Sequence, residues 1–176
     1  MKTIAHHALY VVFGQAGGEI HQQALDARVP KGEEEVVITF PPMPQTTDRE
    51  PTYKFTEEQV AAKSPLARQF IESRRKLNTN VEKADNYLVK RFYNIDHNTY
   101  LEGAIPAKYK ELMGLVVSAG LRCDDCINYH IIQSYRLEAS RAEQEEALNV
   151  ALVVGGSIVI PHLRRAYAML EELYGG

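Results

Sequence analysis

From Ser64 to the C-terminus, apolar residues recur at helical intervals, and the residues between them act as helix starts and stops. Ser64 and Pro65 supply an N-cap and a proline at the first helical position, opening a helix that runs to about Leu77. Thr79 or Asn80 opens a second, with Val81, Ala84, Leu88 and Phe92 as its inner stripe. Pro106 starts a third, which carries Tyr109, Leu112, Met113, Val116 and Val117 and ends near Gly120. A fourth spans Cys123 to Leu137. Ser140 followed by Glu143 is a capping box for a fifth, with Ala147, Val150, Ala151 and Val154 facing inward. Gly155 and Gly156 break the chain. A sixth helix, from about Ser157 to Leu173, takes Pro161 near its start and stops at Gly175-Gly176. The pattern predicts an all-α bundle of about six helices with short connections.

The segment before Ser64 reads differently. Glycines 14, 17, 18 and 32 and prolines 30, 41, 42, 44 and 51 forbid long helices there. The stretches ALYVVF (8–13) and EVVITF (35–40) are rich in β-branched and aromatic residues and are expected as short strands. PPMPQTTDREP (41–51) reads as an extended linker. The expected organisation is an irregular or short-stranded N-terminal extension over 1–63 and a helical domain over 64–176.

Composition changes this picture little. With 45% hydrophobic and 24% charged residues, the chain is expected to be an ordinary soluble globular protein. A formal charge of -3 carries no footprint for nucleic acid or an anionic membrane. Short basic runs such as Arg74-Arg75-Lys76 read as solvated helix faces. The apolar stretch from Ala8 to Phe13 is short for a signal peptide and is preceded by His6-His7, so a reducing cytoplasm is the expected compartment.

Against that background one stretch carries chemistry. GLRCDDCINYH (120–130) holds both cysteines of the chain, three residues apart, with a histidine four residues later. On a helix beginning at or just before Cys123, Cys123, Cys126 and His130 share a face about 60° wide. Residues three apart on a helix lie about 5 Å apart at Cα, within disulfide reach. A helix N-terminus favours thiolate over thiol, and His130 is a proton acceptor one turn beyond Cys126. Glu111, on the preceding helix among Leu112, Met113 and Leu115, is the candidate to orient His130, and half-burial there would raise its pKa. Other readings stay open. The pair could be half of a zinc site completed by His130 and His162, although no second cysteine pair is present, or the cysteines could be small core residues.

These residues resemble the carboxymuconolactone decarboxylase superfamily, specifically its alkylhydroperoxidase D-like branch. The resemblance covers roughly residues 66–173, with its core in GAIPAKYKELMGLVVSAGLRCDDCINYH (103–130) and EALNVALVVGGSIVIPHLRRAYAML (146–170). The order and spacing of Glu111, Cys123, Cys126 and His130 match the redox branch. The resemblance implies an alkylhydroperoxidase D-like helical fold and a thiol-dependent peroxidase or disulfide reductase. It assigns Cys126 as the peroxidatic cysteine, Cys123 as its resolving partner, and His130 with Glu111 as the proton relay. It further implies a small hydroperoxide substrate, a lipoylated or thioredoxin-like protein as reductant, no cofactor or metal, and a homo-oligomer, trimeric or hexameric. One position departs. The best-known peroxidases of the branch carry a second histidine where this chain has Asp125, whose charge disfavours thiolate, offset only in part by Arg122. Two alternatives accompany this reading. One is a carboxymuconolactone decarboxylase-like enzyme acting on a small organic acid through His130 and Glu111. The other is a non-enzymatic oligomeric protein that binds a metal or ligand.

Overall fold

A computed structural model of the chain describes residues 49–175, which lie in the compact unit Gln45–Gly176. The described residues contain seven α-helices, one short 3-10 turn and no strand. The helices are α1 (Glu57–Lys63), α2 (Pro65–Lys83), α3 (Tyr87–Tyr100), α4 (Ala107–Gly120), α5 (Asp124–Arg136), α6 (Arg141–Gly155) and α7 (Ile160–Tyr174), with the 3-10 turn Ser157–Val159 leading into α7. The all-α expectation holds. The strands expected at 8–13 and 35–40 lie outside the described residues, as does most of the linker expected at 41–51.

Local chemistry explains most helix starts. Thr56 and Gln59 form a capping box on α1, and Ser140 and Glu143 form the one expected on α6. Ser64 Oγ accepts from the amide of Ala67 at 3.0 Å and donates to Glu172 at 2.6 Å. One buried hydroxyl thus caps α2 and ties it to α7.

Three sequence expectations are corrected. First, the helical body starts before Ser64: α1 lies in the stretch assigned to the extension, and its Val60 is fully buried in the core. Seven residues with one apolar anchor leave too little periodicity to read as a helix without its packing partners. Second, the break expected near Thr79 falls at Asp85-Asn86. Thr79 turns its hydroxyl back to the carbonyl of Lys76 at 2.7 Å, inside α2. Asn86 caps α3 instead, accepting from the amides of Leu88 and Val89, and Asp85 takes the left-handed turn with φ 50°. Third, several stripes face outward. Leu88, Phe92, Met113, Val117, Val150 and Val154 are all exposed.

The inward faces of α4 and α6 carry smaller residues. On α4 they are Ala107, Gly114, Ser118 and Ala119 with Leu115, and on α6 Ala147 and Ala151 with Leu148. Small side chains let helix backbones approach closely, and α4 packs on both α5 and α6. Ile127, Ile131 and Ile132 from α5 and Leu163, Met169, Leu170 and Leu173 from α7 complete the core. α3 contributes no buried residue.

Candidate functional site

The turn between α4 and α5 sets the geometry of the cysteine pair. Arg122 adopts φ 62°, and the amide of Cys123 returns to the carbonyl of Ser118 at 3.0 Å. Cys123 then serves as the N-cap of α5, its Sγ accepting from the amide of Cys126 at 3.3 Å. Cys123 and Cys126 are joined as a disulfide with Cα atoms 5.3 Å apart, at the separation the helical spacing predicts. Cys123 is half-buried and Cys126 exposed.

One turn further along α5, His130 points into the protein against α4. Its Nδ1 lies 2.7 Å from Glu111 Oε2, and both side chains are almost fully buried. Burial pushes the Glu111 carboxyl above its ordinary range, and the hydrogen bond and charge of His130 pull it only part of the way back. Nδ1 is committed to the carboxylate, which leaves Nε2 as the second proton-handling atom of the ring. Among the described residues no hydrogen bond joins His130 to either sulfur. The four expected residues thus form two pairs: the disulfide at the start of α5, and His130, one turn further along α5, with Glu111 of α4. His162, weighed above as a metal ligand, sits against Asp124 and Arg165.

Three neighbours of His130 were not singled out from the sequence. Tyr100, at the end of α3, and Tyr129 flank the ring with centroids 5.4 and 5.3 Å away. Burial first, and the charge of Glu111 second, raise the pKa of both phenols, which keeps them protonated. Gly114 is the third: a Cβ built there would stand 2.7 Å from both ring nitrogens of His130. A glycine inside an apolar helix costs about 1 kcal/mol relative to alanine, and that cost was the available signal. Beside the ring, Tyr100, Ile105, Met113, Gly114, Val117 and Ser118 line an open, mostly apolar groove of about 430 Å³, large enough for a small organic molecule.

The Glu111 shift has a measurable sign. The folded chain holds this proton more tightly than the unfolded chain, whose carboxyl titrates near the ordinary 4.5. The stabilising contribution is thus fully present below that value and is lost as pH rises through the raised folded value. Urea unfolding across this window should show the unaltered protein losing stability that Glu111→Gln retains. Parallel pH profiles for the two proteins would contradict the assignment.

Comparison with known proteins agrees with the all-α fold. Residues 87–169 match the family model described as the carboxymuconolactone decarboxylase family. Two crystal structures of one Thermotoga maritima protein are 54% identical to the chain, covering 61% of it, with TM-scores of 0.59 and 0.58. They are covered over 94% and 91% of their own lengths. That protein is described as a carboxymuconolactone decarboxylase family protein with a suggested involvement in an antioxidative response. A Legionella pneumophila protein of the same family is 26% identical, covering 61% of this chain and 96% of that one, with a TM-score of 0.50. An uncharacterized protein of Cupriavidus necator is 31% identical over 72 residues, which is 41% of this chain. The chain spans 64% of that relative's length. Among the described residues no helix is long and apolar enough to cross a membrane.

Proposed function

We propose that this chain, which belongs to the carboxymuconolactone decarboxylase family, is a thiol-dependent peroxidase or disulfide reductase of the alkylhydroperoxidase D-like branch. The observation that carries the reading is the Cys123–Cys126 disulfide in the first turn of α5, one turn from the buried Glu111–His130 pair. A disulfide in a first helical turn opens with little backbone movement, and the thiolate it releases is favoured by the positive end of the helix. The relative described with an antioxidative response is consistent with this chemistry.

In the reduced form, His130 takes the Cys126 proton directly or through a water, while Glu111 holds the imidazolium that results. The Cys126 thiolate attacks one peroxide oxygen and the O–O bond breaks. The departing alkoxide takes the proton back from His130 and leaves as an alcohol. Cys126 is now a sulfenic acid. Cys123 displaces its hydroxyl as water and forms the disulfide. In sum, one hydroperoxide and two thiols give one alcohol, one water and one disulfide. A dithiol partner, lipoylated or thioredoxin-like, then returns the pair to the reduced state by exchange. A reducing cytoplasm is the compartment in which such a cycle runs.

The test is to reduce the protein with a dithiol, remove the reductant and add one equivalent of hydroperoxide. Both thiols should disappear, and mass spectrometry should find two hydrogens lost within the peptide holding Cys123 and Cys126. Persistent free thiols, or bridges only between chains, would refute the proposal.

The chain also acts as a homo-oligomer in this reading. Leu88, Phe92 and Ile95 leave α3 with an exposed apolar face, and Val153 and Val154 do the same for α6. A lone helix with no buried residue is poorly stabilised in water, and a second copy supplies the cover. Sedimentation of the intact protein as a single-chain species would oppose this.

A further inference from the structure

Beside the cysteine pair lies a group of charged side chains that the proposed chemistry does not use. Asp124, the first residue of α5, directly follows Cys123, and both of its oxygens are taken by α7. His162 Nδ1 lies 2.8 Å from Oδ1, and Arg165 Nη2 lies 2.8 Å from Oδ2. Two facing acceptors would repel, so Nδ1 of His162 carries its proton and donates to the carboxylate. Arg165 Nη2 also reaches within 3.3 Å of the same nitrogen, so the three groups form one cluster. The His162 side chain is mostly covered, at 17% exposure.

The arrangement bears on the sulfurs for an electrostatic reason. A carboxylate next to a cysteine disfavours thiolate. Asp124 is held by a cation and an N–H donor, so its charge is largely cancelled and its side chain is fixed toward α7. Burial alone would raise the Asp124 pKa, but the hydrogen bonds from Arg165 and His162 outweigh it and lower the pKa. The following residue, Asp125, is exposed, and among the described residues no salt bridge engages it. The two aspartates between the cysteines are therefore not equivalent.

We propose that Asp124, His162 and Arg165 form a positioning clamp that ties the cysteine turn of α5 to α7 and cancels the Asp124 charge at the two sulfurs. Of the two aspartates, only Asp125 then still opposes the positive end of α5 in setting the acidity of the reduced pair. This inference rests on the dithiol–disulfide reading of the site and adds to it the residues that set thiol acidity. A clamp that merely braced the fold would alter stability and leave the acidity of the thiols unchanged.

The experiment titrates the dithiol-reduced protein by thiolate absorbance, with no peroxide present. Arg165→Gln should raise the pKa of the more acidic thiol by about half a unit to one unit, a three- to ten-fold loss of thiolate near neutral pH. Arg165→Lys, which keeps the charge, should stay close to the unaltered protein. Adding Asp124→Asn to Arg165→Gln should bring the pKa back, because the charge to be cancelled is gone. If Arg165→Gln fails to fold, Arg165→Met keeps the apolar stem and removes the same charge. An unchanged thiol pKa in the neutral variants would overturn the proposal. So would a rise that Asp124→Asn does not reverse, since Arg165 would then act on the sulfurs directly. Failure of peroxide turnover would leave this titration intact, so the clamp and the peroxidase reading fail separately.

Discussion

Replacing Cys126 with serine is expected to reduce peroxide consumption by about a thousand-fold or more, since no other group in the proposed cycle attacks the O–O bond. Replacing Cys123 should act differently. Without a resolving thiol the first step still runs once, leaving one equivalent of sulfenic acid at Cys126 and no further turnover. Two features of the structure motivate this asymmetry. Cys126 is the more exposed residue and lies nearer His130 along α5, whereas Cys123 is half-buried as the N-cap. Trapping with a dimedone-type reagent after a single addition of peroxide separates the two cases. Sulfenate found at Cys123 in place of Cys126 would reverse the roles and sink the assignment.

Gly114→Ala should be the most damaging change outside the four expected site residues. The added methyl would overlap the His130 ring, which cannot swing away freely. Tyr100 and Tyr129 flank it, and Glu111 holds Nδ1. Moving the ring breaks the buried hydrogen bond and strands a carboxyl that burial already disfavours as an anion. Overpacking of this kind costs about 1–3 kcal/mol of stability, and a displaced general base costs about a hundred-fold or more in rate. Urea unfolding and single-turnover peroxide kinetics on the same preparation read both effects. A variant with full stability and full rate would show that α4 and α5 separate easily enough to admit the methyl. In that case the close approach at Gly114 would not position His130.

Much of this protein is legible in its sequence because the signals involved are local. Helix starts at Ser64-Pro65 and Ser140-Glu143 depend on hydrogen bonds spanning three residues, so a short window contains the whole interaction. The cysteine spacing is likewise local: positions three apart on one helix meet the disulfide separation wherever the helix lies. The pairing of Glu111 with His130 joins two helices, and its expectation came from a family resemblance as much as from the apolar setting of the glutamate.

What the tertiary structure alone decided is which apolar face turns inward. On α4 the large residues Met113 and Val117 look the better core, yet they face out, while Gly114, Ser118 and Ala119 face in. Hydrophobicity measures the tendency to leave water and does not distinguish the core of one chain from a surface covered by another. Close packing of helices rewards small residues whose burial value is low. The same limit hid α1, whose single anchor Val60 is meaningful only beside its neighbours in the core. It hid the α7 partners of Asp124 as well: His162 and Arg165 are distant in sequence, and only the packing of α7 on α5 brings their charges to the cysteine turn.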